Sequence, residues 1–118
     1  MINMVKSIWE YVSNKSKYIY GEISVPQIEI QSRTGRVLAS FVYPSHLDFY
    51  KHYSKAKLVI SKQLLNMGEI ELKKTIIHEF SHAVLWKEFP TDTDVHSSNF
   101  HRICNTLERI CGEWQKEV

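Results

Sequence analysis

With 118 residues, 43% of them hydrophobic and 24% charged, the chain has ordinary globular composition, which excludes a wholly disordered protein and predicts one domain over residues 1–118. Its 15 basic and 13 acidic residues leave a formal net charge of only +2, with no long run of like charge, so affinity for nucleic acid is permitted but not demanded. No continuous apolar stretch is long enough for a signal-peptide core or a membrane span, which predicts a cytoplasmic protein with no membrane partner.

Apolar residues at Ile2, Val5, Ile8, Trp9 and Val12 recur at the helical period and predict an amphipathic helix over residues 2–17. From Val25 the pattern changes to alternation. Ile28 and Ile30 share one face, Gly35 sits in a turn signal, and residues 37–43 are rich in strand formers, which together predict a β-hairpin. A polar, aromatic-laced loop follows over residues 44–57. Leu58, Val59 and Ile60 then predict a third strand, either an inner strand or an edge to which an extended peptide can add. Ser61 can cap a short turn carrying Leu64 and Leu65, and Gly68 breaks it ahead of a long helix over residues 69–89. Its apolar positions, Ile70, Ile76, Ile77, Phe80, Ala83, Val84 and Leu85, cover more than one face, as expected of a central helix. After Pro90 and a polar run, Ser97 or Ser98 caps a last helix with Phe100, Ile103, Leu107, Ile110 and Trp114 on one stripe. The sum is an α+β fold with an N-terminal helix, a three-stranded β-sheet, a central helix and a C-terminal helix. Cys104 and Cys111 fall seven apart in that last helix, a separation of roughly 10 Å at the helical rise. A disulfide needs about 7 Å or less, so both are expected as reduced thiols.

The central helix carries His78-Glu79-Phe80-Ser81-His82. Histidines four apart stack one turn apart on one face, where they can share a metal ion, while the glutamate beside the first reaches the metal's water without ligating it. This is the zincin pattern, and it predicts a small zincin-like domain: zinc polarises a peptide carbonyl, and Glu79 is the general base that takes the proton of the attacking water. Imidazole ligands favour zinc, whereas manganese or iron usually recruit more carboxylates. The bland alternative is a pair of partly exposed helix histidines with Glu79 in a solvated ion pair. A catalytic zinc needs a third protein ligand. The candidates are His96 ahead of the last helix, His101 one turn into it, and Glu108, and spacing does not choose among them. A metzincin-type ligand is excluded, because Leu85 and Glu88 stand where its glycine and third histidine would fall.

In order and content these segments resemble the SprT-like family of zinc metallopeptidases, to which bacterial SprT and the eukaryotic Spartan proteases belong. The likeness rests on the first helix with its Trp, a hairpin around a Gly turn, Leu58-Val59-Ile60-Ser61-Lys62-Gln63-Leu64-Leu65, and His78-Glu79-Phe80-Ser81-His82-Ala83. It continues in His96-Ser97-Ser98-Asn99-Phe100, which is similar to the family's histidine, small residue, two variable positions and phenylalanine before the last helix. The resemblance implies a zinc metallopeptidase acting on a protein or peptide substrate, with His78, His82 and His96 as metal ligands and Glu79 as the catalytic residue. It also implies DNA as a candidate partner, through proteins crosslinked to DNA. Ser97 stands where the family usually has glycine. The four-cysteine zinc ribbon of many bacterial members has no counterpart in this sequence, and no second zinc site is expected.

Other residues carry weaker signals. His46 and His52 are expected as surface loop residues. Tyr43 is one candidate donor for transition-state stabilisation, although spacing does not show which side chain reaches that position. Lys6, Lys15, Lys17, Arg33, Arg36, Lys51, Lys55 and Lys57 concentrate in the first half, where a solvated face is preferred to a nucleic-acid surface because the net charge is small. Trp9, Trp86 and Trp114 are expected in the core. The same residues also suit a second function, a zinc-containing module that binds DNA or protein without catalysis, and a closed fourth coordination position would distinguish it.

Overall fold

Helix α1 (Ile2–Tyr20) turns Val5, Ile8, Trp9, Val12, Ser13 and Ser16 to the interior, the stripe that the helical period anticipates. The structure is a computed structural model and describes residues 2–32, 37–43, 56–92 and 94–112. α1 runs one turn past the predicted end and stops at Gly21, whose φ of 79° is left-handed and whose N–H closes on the Lys17 carbonyl at 2.9 Å, the glycine-capped ending of many helices. The chain then folds back along α1. The Trp9 indole N–H donates to the Ile23 carbonyl at 3.0 Å, and the Ile23 N–H donates to the Ser13 hydroxyl at 2.9 Å. The Ser16 hydroxyl donates to the Val12 carbonyl at 2.8 Å, so the polar atoms of all three side chains, Trp9, Ser13 and Ser16, are satisfied, as buried donors and acceptors must be.

Three strands follow, β1 (Gln27–Gln31), β2 (Ala39–Val42) and β3 (Lys57–Ser61). They form one sheet in the order β1-β3-β2. β1 pairs with β3 in parallel, with Ile28 opposite Leu58 and Ile30 opposite Ile60. β2 pairs with β3 antiparallel, with Phe41 opposite Leu58. The predicted β-hairpin is therefore not formed: β1 and β2 flank β3 rather than each other. The reason lies in the strands themselves. Leu58, Val59, Ile60 and Ser61 are all buried, as a strand covered on both faces requires, whereas β1 and β2, Phe41 apart, are half-buried or exposed and suit the outer positions. The alternative of residues 58–60 as an open edge is excluded by the same pairing. The predicted turn around Gly35 and most of the predicted loop over residues 44–57 lie outside the described residues.

Ser61 ends β3 and caps the next helix at once. Its hydroxyl accepts the Gln63 N–H at 3.1 Å at the start of α2 (Lys62–Asn66), the capping role expected of serine. Helix α3 (Glu69–Glu88) follows Gly68 and packs against α1, β2 and the last helix, α4 (Ser98–Ile110). Residues 79–85 of α3 are buried without interruption, so this is the central helix. Trp9 lies against Phe80 at 4.8 Å and Phe41 at 6.1 Å between ring centroids, which joins α1, β2 and α3 in one aromatic contact. α4 buries Phe100, Ile103 and Leu107. Both cysteines are free, Cys111 buried and Cys104 half-buried. Among the described residues no helix is long and apolar enough to cross a membrane.

Candidate metal centre

His78 and His82 face the start of α4 from one side of α3, their ring centroids 5.0 Å apart, as a four-residue spacing on a helix dictates. The chain leaves α3 at Phe89 and returns through a turn that presents His96. That turn is built from side-chain and backbone hydrogen bonds. The His96 N–H donates to the Asp94 carboxylate at 3.0 Å, the Asp94 N–H to the Asp92 carboxylate at 3.2 Å, and the Ser97 N–H to the Asp94 carbonyl at 3.2 Å. Ser97 then caps α4, its hydroxyl accepting the Phe100 N–H at 3.3 Å. His96 ends 5.5 Å from His78 and 5.0 Å from His82 between ring centroids.

The buried Phe100 ring contacts all three imidazoles, stacked on His82 at 4.5 Å and edge-on to His78 and His96 at 5.1 Å each. One ring nitrogen from each histidine lies within 4.8 Å of the other two. Around a tetrahedral zinc, nitrogens at about 2.0–2.1 Å from the ion lie roughly 3.4 Å apart, so a small inward adjustment of the rings brings this set to ligating distance. Burial runs from His82, buried, through His78, half-buried, to His96, exposed, which leaves the group open on the His96 side. His82 Nδ1 is buried with no hydrogen-bond partner. Three clustered imidazole nitrogens are a donor set that fits a metal ion.

Glu79 is 5% exposed. Burial pushes its pKa up to about 7, against the opposing pull of the Phe41 N–H, which donates to the carboxylate from β2. Its Oε2 is buried without a partner. A carboxylate poised near neutrality is matched to general-base work. Burial also lowers both α3 histidines, His82 to about 4, with the neighbouring imidazoles adding to the effect. Neutral imidazoles are the form that binds metal. Tyr43 closes one side: its ring stands edge-on to His82 at 6.4 Å, and its hydroxyl donates to the His82 carbonyl at 3.3 Å. Burial and the Glu79 carboxylate raise the Tyr43 pKa, so it remains a protonated donor.

Of the three candidates for the third ligand, His96 is the one whose nitrogen joins the group. His101 and Glu108 are exposed on α4 and reach His78 only through their charge. His46 and His52 lie outside the described residues, as do Arg33, Arg36, Lys51, Lys55 and Trp114. Lys6, Lys15 and Lys17 are exposed on α1, and Lys57 lies 3.6 Å from Glu29. Trp9 is fully buried and Trp86 half-buried against Tyr43. Sequence reasoning missed the Phe41 N–H on Glu79, which leaves no signal in side-chain identity. It also passed over Asp92 and Asp94, although alternate aspartates before a serine cap are a legible mark of side-chain-bonded turns.

Comparison with known proteins supplies a family. A model of the SprT-like family matches residues 9–118. The crystal structure of the metallopeptidase zymogen of Pyrococcus abyssi abylysin is similar with a TM-score of 0.52 and 18% sequence identity, covering 97% of this chain and 94% of that one. At that identity the likeness concerns the fold. No curated protein matches the chain.

Proposed function

The chain belongs to the SprT-like family, and on that premise we propose that it is a zinc-dependent endopeptidase with His78, His82 and His96 as ligands and Glu79 as the catalytic base. The observation that carries the proposal is the convergence of three imidazole nitrogens beside a buried glutamate whose second carboxylate oxygen has no protein partner. Zinc, when bound, supplies Lewis acidity that polarises a peptide carbonyl and acidifies water. Glu79 accepts the proton of the attacking water and passes it to the leaving amine. The Phe41 N–H holds the carboxylate in place from β2, and the Tyr43 hydroxyl holds the α3 backbone at His82. β2 is an outer strand, so an extended substrate can lie along it by backbone hydrogen bonds that accept many sequences.

A non-catalytic zinc module that binds DNA or protein is the competing reading. Among the described residues no cysteine, aspartate, glutamate or fourth histidine joins the three imidazoles, which supports an open coordination position and hence catalysis. Family likeness alone suggests DNA-associated or crosslinked protein as the substrate class. Two assays test these readings. Glu79→Gln is expected to keep about one zinc per chain and to lose at least roughly a hundredfold in hydrolysis of unfolded casein, and full activity in that variant would refute the assigned mechanism. Cleavage of DNA-bound histone that rises with single-stranded DNA and fades with salt would support the narrower substrate class; cleavage indifferent to DNA would remove it.

A further inference from the structure

The third histidine differs from the other two in how it is held. His78 and His82 are fixed by the backbone of a buried helix, whereas His96 is exposed and projects from a turn with little apolar burial to order it. Its neighbours Asp94 and Val95 are exposed as well. A ligand on a free turn would have to be ordered when the ion binds, at a cost in affinity that preorganisation avoids.

The order comes from one carboxylate. Asp92 Oδ2 accepts the Ser97 hydroxyl at 2.6 Å and the Asn99 side-chain amide at 3.3 Å, while Oδ1 accepts the Asp94 N–H at 3.2 Å. The Asp92 N–H itself donates to the Phe89 carbonyl at 3.0 Å, which ties this hub to the end of α3. Residues on both sides of His96 are thus drawn to a single side chain: Asp94, which accepts the His96 N–H, and Ser97, which starts α4. The same bonds hold the Asp92 carboxyl below its usual pKa, the Ser97 hydroxyl contributing most. A glycine at position 97 would lack both the bond to Asp92 and the cap on Phe100. Ser97 therefore couples the turn to the helix that carries the ring wall of the site.

We propose that Asp92 is a positioning residue for the metal centre, its carboxylate bonding Ser97, Asn99 and the Asp94 backbone so that His96 is presented in ligating orientation before the ion arrives. The proposal rests on the metal-site reading given above. Outer partners that orient a metal ligand typically contribute ten- to a hundredfold to affinity.

The test measures zinc affinity by competition with a chromophoric chelator for wild type, Asp92→Ala, Asp92→Asn, Ser97→Thr, His96→Ala and the double variant Asp92→Ala/His96→Ala. Asp92→Ala is expected to weaken zinc binding at least about tenfold, and Ser97→Thr, which keeps the hydroxyl, to stay within about twofold of wild type. If Asp92→Ala fails to fold by circular dichroism, Asp92→Asn serves in its place, because its one amide oxygen cannot accept both from Ser97 and Asn99 on one side and from the Asp94 N–H on the other. In the His96→Ala background the Asp92 substitution should have no further effect, which a merely structural role would not produce. Near-wild-type affinity in Asp92→Ala, with loss in His96→Ala, would overturn the positioning role and leave the site reading standing. An equal loss with and without His96 would also overturn it, since Asp92 would then act elsewhere. Unchanged affinity in His96→Ala would overturn the site reading and this inference together.

Discussion

Two buried side chains give the metal-free site opposing responses to pH. Glu79 rises from 4.5 to about 7 on folding, so between those values the folded state holds the extra proton and stability falls as pH rises. His82 drops from 6.5 to about 4, so over its own window the unfolded chain holds the extra proton and stability falls as pH drops. The two offset each other between about pH 4.5 and 6.5. Glu79→Gln removes one side of the balance. In the metal-free variant the urea midpoint is expected to fall from pH 7 to pH 5 more steeply than in the wild type, and parallel pH profiles would show that Glu79 does not take up a proton on folding. A bound cation beside Glu79 favours its charged form, so the wild-type profile should change on adding zinc.

At the scale of elements, the site depends on how α1 is anchored to α3. Gly21 ends α1 with a left-handed φ of 79°, and a Cβ there would meet the Lys87 ammonium nitrogen at 2.6 Å. That ammonium donates to the Tyr20 carbonyl, one of the groups left open at a helix C-terminus. Gly21→Ala therefore combines backbone strain with a displaced cap. It is expected to destabilise the protein by about 1–2 kcal/mol, read as a lower urea midpoint with an unchanged slope. Gly68 offers a contrast. Its φ of 104° is also left-handed, but no atom lies within 4 Å of the position a Cβ would take, so Gly68→Ala isolates the backbone cost. A larger loss from Gly21→Ala in the wild type than in a Lys87→Ala background would measure what the Lys87 clasp adds.

For the molecule as a whole, proposed ligands drawn from α3 and from the turn that follows it would make zinc binding a constraint on tertiary structure. An ion that binds only the folded state at a hundredfold excess over its Kd stabilises by about 2.7 kcal/mol, which for a domain of this size is roughly 10 °C in melting temperature. Calorimetry with zinc and with a chelator should show that difference in the wild type. His96 is exposed, so His96→Ala should melt within a few degrees of metal-free wild type and lose the zinc-dependent rise. A retained rise would move the third ligand to another residue.

Periodicity alone determined most of what is local here. The 3.6-residue repeat located α1, α3 and α4, and the same repeat set His78 and His82 on one face with Glu79 beside them, because helical neighbours are neighbours in sequence. The serine caps were legible for the same reason, Ser61 by itself and Ser97 as one of two neighbouring candidates. Only the tertiary structure decided the sheet order and which side chain stands beside the two α3 histidines. Strand pairing joins residues far apart in the chain: Gly35 and the alternating residues on either side of it suggested a hairpin, yet the doubly buried β3 took the centre. Spacing left His96, His101 and Glu108 equal, and family resemblance alone preferred His96. What brings its nitrogen to the other two is a turn held by Asp92, Asp94 and Ser97, a set of distances that exists only once α3 and α4 have packed together.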